Sequence, residues 1–340
     1  MPLRLRRGSV TAIVDRLEGL TRIAVDGTPC IAYPRLTGPV AVGDEVLVNV
    51  QARELGLGSG GFDVLYANLT RGLDLPAEAG PHVMKLPYTP LQFAALHAEE
   101  DGAQTTALGG LPVVCCSLHS QVAPVCAGIG EGRRVAYLQV PGGALPVSLS
   151  DAVRALKERG LVEVAVAVGA CVDGDVSCVS SASALAWAAH EHVDVAVCSI
   201  GPGIVGTGSF LGHGGLAAAE AANTAAALGG RPVLAVRVSD ADARERHRRV
   251  SHHTRSVLEL CFGQVVSAWP MGEEAPDWLQ PREEVEVSGW KDSCAGLPLA
   301  HMGRGPSDDP SFFEAAYAAG RLARRWIGGG GRGADIVAPP

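Results

Sequence analysis

The segment RVSDADARERHRRVSHHT, residues 237–254, gathers side chains suited to chemistry: Asp240, Asp242, His247, His252 and His253 stand among arginines. Imidazole titrates near neutrality, so His252 and His253 with Asp240 suit general acid–base work while the guanidiniums hold an anion. The same residue types also ligate divalent ions. Asp240, Asp242, His247 and His252 are a candidate set for zinc, manganese or iron, in which the ion would activate water. The plainer alternative is a solvated polar segment at the start of a helix. His119, directly after the apolar run LPVVCCSL, is a further candidate acid–base group.

A second segment, VAVCSIGPGIVGTGSFLGHGG at residues 195–215, runs an apolar strand into a loop with seven glycines. Gly201, Gly203 and Gly206 match the dinucleotide pattern G-x-G-x-x-G between a strand and a helix. Glycines continue to Gly215, however, and Asp240 lies well beyond the roughly 20 positions expected for a ribose contact. NAD or FAD is therefore disfavoured. A long turn needs only one or two glycines for positive φ. The favoured reading is a nest of backbone N–H groups, built from Gly201, Gly203, Gly206 and Gly208 with the Thr207 and Ser209 hydroxyls, that receives phosphate, carboxylate or an oxyanion. Gly142 and Gly143 are expected to let the ligand approach the backbone.

The elements that must position these groups follow from periodicity. Between residues 111 and 270, continuous Val/Ala/Leu/Cys runs at 111–118, 134–140, 162–169, 193–200, 231–238 and 264–269 read as parallel strands buried on both faces. Helical segments lie near 120–130, 148–160, 180–192, 214–228 and 252–262, with Ser150 and Ser251 as N-cap candidates. This is the grammar of a doubly wound α/β domain with a mostly parallel sheet. Ligands bind outside the carboxyl ends of such strands. His119, Gly142-Gly143, the Asp173/Asp175 loop, the glycine loop and the 237–254 segment all fall on that edge, whereas the loops of the opposite edge are short and ordinary.

Upstream, residues 1–75 contain five short alternating runs with turn residues between them, including Asp26-Gly27, and predict a small all-β, barrel-like domain. Residues 76–110 form an interdomain link. Residues 271–327 are an extension whose last helix repeats Phe312, Ala316, Ala319, Ala323 and Trp326 on one face and packs back on the body. Residues 328–340, rich in glycine, are expected to be a disordered tail.

Composition narrows the partners. The chain of 340 residues is 47% apolar and 19% charged, with a net charge of −8 and few aromatics, which disfavours a nucleic-acid surface. No run reaches the ~20 apolar residues of a membrane helix. The nine cysteines lie mostly inside apolar runs and read as buried reduced thiols; with no signal-like N-terminus, the expected location is the cytoplasm. His97, His190, His192 and His301 read as structural or surface histidines.

The segments GLGSGGFDVLYANL, HVMKLPYTPLQ, GGALPVSLSD, GPGIVGTGS and RVSDADARERHRRVSHHT, in this order, resemble an uncharacterised bacterial family catalogued as a domain of unknown function, number 3866. The resemblance spans roughly residues 8 to 265 and implies that these segments belong together. It brings no activity, cofactor or catalytic residue with it.

The expectation is an enzyme, a hydrolase or transferase, acting on a small anionic metabolite, phosphorylated metabolites included, at the carboxyl edge of the sheet. Two alternatives stand beside it: a metal-dependent hydrolase using the 240–253 cluster, and a non-catalytic metabolite-binding or scaffold protein. A homo-oligomer is compatible with either.

Overall fold

The computed structural model describes residues 3–56, 61–72, 80–102 and 105–328. In it the five N-terminal runs become β1 (Leu5–Leu17), β2 (Leu20–Val25), β3 (Thr28–Ala32), β4 (Glu45–Asn49) and β5 (Asp63–Asn68). The short helices α1 (Pro34–Thr37) and α2 (Gln51–Glu54) lie between the last three strands. They close into a barrel in the order β1-β2-β3-β5-β4, with β4 returning antiparallel to β1. Alternation puts Val10, Ile23, Val25, Cys30, Val46, Val48 and Leu65 inside it. Asp26 and Gly27 turn the β2–β3 hairpin with φ of 48° and 75°, the left-handed pair that an Asp-Gly turn supplies at low cost.

After a small hairpin of β6 (Val83–Lys85) and β7 (Phe93–Ala95) comes the sheet that carries the molecule. Its strands are β8 (Pro112–Cys116), β9 (Val135–Val140), β10 (Val164–Val168), β11 (Val176–Cys178), β12 (Val195–Ile200) and β13 (Arg231–Ala235). A two-stranded ribbon, β14 (Val238–Ser239) with β15 (Arg249–Val250), precedes β16 (Val266–Pro270) and β17 (Arg282–Val285). The sheet order is β11-β10-β9-β12-β8-β13-β16-β17, and all its pairings are parallel. The central strands are buried on both faces, as their unbroken apolar runs require.

Helices cover both faces. On one lie α3 (Val122–Ile129), α4 (Asp151–Glu158), α8 (Trp290–Ser293) and α9 (Pro310–Trp326); on the other lie α5 (Ser181–His190), α6 (Ala217–Ala227) and α7 (His252–Glu259). The α/β domain is therefore doubly wound. Ser150 caps α4 by accepting from the Val153 N–H at 2.9 Å, and Ser251 caps α7 by accepting from the His253 N–H at 3.2 Å. Helix α9 buries Phe312, Ala316, Ala319, Ala323 and Trp326.

Two strands of the large sheet lie outside the periodicity reading. β11 has three residues, and β17 reads REEV, because an edge strand of a parallel sheet need not be apolar throughout. β17 also extends the sheet beyond residue 270, so the segment expected as an appendage completes the domain. Residues 329–340 of the expected tail, 328–340, lie outside the described residues, as do 57–60 in the glycine-rich stretch of the barrel, 73–79 across the boundary of barrel and link, and 103–104 within the link. Among the described residues, no helix is long and apolar enough to cross a membrane.

The barrel sits on α4 and the loop before it. Leu20, Ile31 and Tyr33 pack with Leu149, while Arg22 grips both oxygens of Asp151 at 2.6 and 2.7 Å. From the link, the buried Lys85 ammonium donates to the carbonyls of Ala167 and Gly169 at 3.1 and 2.8 Å and so closes the end of β10.

Candidate functional site

The carboxyl edge of the sheet brings together histidines that are far apart in sequence. The loop leaving β12 folds into a hairpin: Gly206 bridges to His213, Thr207 N–H donates to the Gly212 carbonyl at 2.7 Å, and Gly214 N–H donates to Val205 at 2.8 Å. That hairpin swings His213 onto the first turn of α7. There the His213 ring stacks on His253 with centroids 3.7 Å apart and an interplanar angle of 13°. His252 lies 4.5 Å from His253, and His247 lies 4.8 and 4.9 Å from the two. His213, His252 and His253 are a group whose potential ligand atoms lie within 4.8 Å of one another.

The hydrogen bonds around the cluster leave specific atoms bare. Ser256 donates its hydroxyl to the His253 carbonyl at 3.1 Å, so the same oxygen accepts from His213 Nε2 at 2.9 Å. The His213 proton is thereby placed on Nε2, and Nδ1 keeps a lone pair that is buried without a partner. Nε2 of His252 is likewise buried and unpartnered. His253 Nδ1 accepts from Arg237 at 2.9 Å, and His247 Nδ1 meets the Ser251 hydroxyl at 2.8 Å.

Guanidiniums surround these rings. The Arg237 side chain is 3% exposed, its Nε has no partner, and its closest carboxylate contact, Asp242, is 3.8 Å away. Asp242 already accepts from Arg244 at 2.8 and 2.9 Å and from Arg304 at 3.4 Å. Arg304 in turn holds the buried Asp309, which also accepts from Ser239. Arg246 stands beside Gly208 on the glycine hairpin.

The electrostatics follow from this crowding. Burial first, and the arginine charges after it, push His247 down to about 3 and His253 to about 2. Burial, His213 and the arginines bring His252 to about 4, while burial lowers His213. All four imidazoles are therefore neutral at physiological pH. Hydrogen bonding from Arg244 holds Asp242 far below the usual carboxylate range. Burial lowers Arg237 to about 10, which leaves it charged at neutrality.

The structure distributes the candidates from the sequence unevenly. His252 and His253 are in the cluster, and His247 borders it. Asp240 is not: its side chain is exposed beside a separate cleft of about 200 Å³ lined by Trp269, Arg249 and Glu314. Asp242 is committed to guanidiniums, so the structure places neither aspartate of the expected metal set in the histidine group. His119 is also elsewhere. Its Nε2 accepts from Ser150 at 2.6 Å and its Nδ1 faces the Ile200 carbonyl and the Tyr137 hydroxyl at 3.3 and 3.2 Å, so no ring nitrogen is left for a substrate.

The glycines have an architectural explanation. A Cβ on Gly143 would fall 2.2 Å from the Gly201 carbonyl oxygen, and one on Gly214 would fall 2.0 Å from that of Gly142. The backbones of the two loops occupy the space expected for a ligand at Gly142 and Gly143, and Gly201 is packed against Ala144 in the same way. Gly203 is a positive-φ turn, and Gly206 lies against His213. Gly208 is exposed and lies near a cation, Arg246, and the exposed hydroxyls of Thr207 and Ser209 on either side of it bond each other at 2.8 Å.

Sequence reasoning passed over His213 and Arg237. His213 was visible as the one imidazole in a loop already placed on the rim; its partners on α7 lie too far along the chain for spacing to reveal them. Arg237 follows an apolar strand directly, a position where a charge is unusual unless it is used.

A comparison with curated proteins finds no match. The family model described as "Protein of unknown function (DUF3866)" matches residues 29–320, from within the barrel into α9 and so through the extension beyond residue 270, and the chain belongs to that family.

Proposed function

We propose that the protein is an enzyme, a hydrolase or transferase, that acts on a small anionic metabolite at the histidine–arginine cluster on the carboxyl rim. The observation that carries this reading is Arg237. A buried guanidinium is costly unless its charge and donors are met. Here its Nε is bare and its nearest carboxylate is shared with Arg244 and Arg304. An anion entering beside it supplies the missing acceptor and charge together. Arg246 stands at the surface beside Gly208, and the neutral ring of His252, with its Nε2 bare, offers a base within the cluster. The free state of all nine cysteines, eight of them buried, supports a reducing, cytoplasmic setting.

The test is thermal unfolding of the full chain with inorganic phosphate, sulfate and acetate, in wild type and in Arg237→Gln, with EDTA present throughout. At a hundredfold excess over Kd, a bound anion stabilises by about 2.7 kcal/mol. The expected result is a concentration-dependent rise in Tm for wild type that Arg237→Gln lacks. The same rise in both proteins, or none in wild type, rejects the reading.

A further inference from the structure

We propose that His213, His252 and His253 form a binding site for one divalent transition-metal ion of the zinc class. The inference deepens the reading above by placing an ion in the cluster that receives the anion. Binding of the ion itself does not depend on that reading.

Three features point to an ion. First, the donor set is right: three imidazoles on two elements, the β12 hairpin and the first turn of α7, within 4.8 Å of one another. Three histidines with one open position are a familiar catalytic zinc arrangement, and neutral nitrogen donors suit zinc, cobalt and nickel rather than calcium or magnesium. Second, two of the three ligand atoms are already prepared. Ser256 fixes the His213 proton on Nε2 and leaves the Nδ1 lone pair bare, while His252 Nε2 is bare as well. A buried nitrogen without a partner is uncommon in a folded protein and calls for an explanation. Third, the supporting shell is built, since a metal-bound imidazole characteristically donates its other N–H to a fixed oxygen, as His213 does to Ser256.

The third ligand has a chemical consequence. Arg237 donates to His253 Nδ1, so the neutral His253 ring carries its proton on Nε2. Ligation through Nε2 forms the metal–nitrogen bond as that proton leaves to solvent, and the adjoining guanidinium stabilises the electron-rich ring that results. Two nitrogens on a tetrahedral zinc stand roughly 3.3 Å apart, so binding draws the rings together and turns His213 and His253 out of their stacked, near-parallel arrangement until both lone pairs meet the ion. The fourth position stays open to water or to the anion held by Arg237.

This set differs from the one that spacing along the chain suggests. Asp240 and Asp242 drop out, the first by position and the second because arginines already occupy it. His213 enters in their place.

The experiment is titration of the EDTA-treated, dialysed full chain with Co(II) in the absence of phosphate, followed by visible absorption and by calorimetry, then competition with Zn(II). The expected result is one ion per chain with the absorption of a four-coordinate, nitrogen-ligated Co(II). Affinity should fall at least tenfold in His213→Gln and in His252→Gln, each confirmed as folded by circular dichroism. His252 sits at a helix start and is half-buried, so its variant keeps the test available should His213→Gln misfold. No stoichiometric binding by wild type, or equal binding by either folded variant, overturns the proposal. Because phosphate binding by Arg237 is measured with EDTA present, failure of one reading is distinguishable from failure of the other.

Discussion

At the scale of single residues, a histidine's role is set by which of its nitrogens remain free. His119 and His213 both follow apolar strands on the same rim, yet His119 has both nitrogens engaged and His213 has one bare. His119 is thus a hinge pin joining β8, β12 and the cap of α4. Burial holds it at about 4, below the 6.5 of an unfolded histidine. The unfolded chain therefore binds the proton more readily, and stability is complete above pH 6.5, declines as pH falls from 6.5 to 4, and levels off below that. The contribution is ~3 kcal/mol. Denaturant unfolding of wild type and His119→Gln between pH 7.5 and 4.5 should show the variant less stable at neutrality and losing less on acidification. Parallel profiles would mean that His119 is not held neutral by the fold. His119→Gln should also bind phosphate as wild type does, since the ring faces Ser150 rather than the cluster.

At the scale of elements, the rim depends on loops that pass within backbone contact, and glycine permits this at defined places. The same device recurs between helices, where α3 crosses α9. A Cβ on Gly320 would stand 1.9 Å from the Val125 carbonyl oxygen, and one on Gly128 would stand 2.4 Å from that of Tyr317. Backbone cannot yield as a flexible side chain can, so Gly320→Ala should destabilise by roughly 1–3 kcal/mol despite alanine's better helix propensity. Chemical denaturation is the measurement, and a neutral or stabilising Gly320→Ala would show that the crossing has room. Most strands and helices were legible because apolar runs and caps are local signals; Ser150 and Ser251 cap the helices that their position announces. β11 and β17 were not, since a three-residue strand and the charged run REEV gain their partners only when the neighbouring strand arrives.

At the scale of the whole molecule, barrel and sheet are joined by an apolar seam with an ion pair at its edge. Arg22 and Asp151 make close contact, but both are substantially exposed, at 37% and 54% of the side chain, so water screens them. A double-mutant cycle on Arg22 and Asp151 should give a coupling below about 1 kcal/mol that fades in high salt. Leu20, fully buried in the seam with Tyr33 and Leu149, should cost about 2–5 kcal/mol as Leu20→Ala. If the ion pair proves the larger of the two, the seam is held by charge and not by burial.

The sequence by itself determined the two architectures, the strands and helices of the α/β core and the edge where function-capable residues collect. Period, caps and turn residues act over a few neighbouring positions, and the carboxyl-edge rule turns them into a location. Only the tertiary structure decided which of those residues meet. It removed His119 by satisfying it, removed Asp242 by surrounding it with arginines, and brought His213 onto His253 across the gap between the β12 hairpin and α7. Proximity between distant positions, and the count of hydrogen bonds left unmade, are properties of packing, which spacing along a chain does not contain.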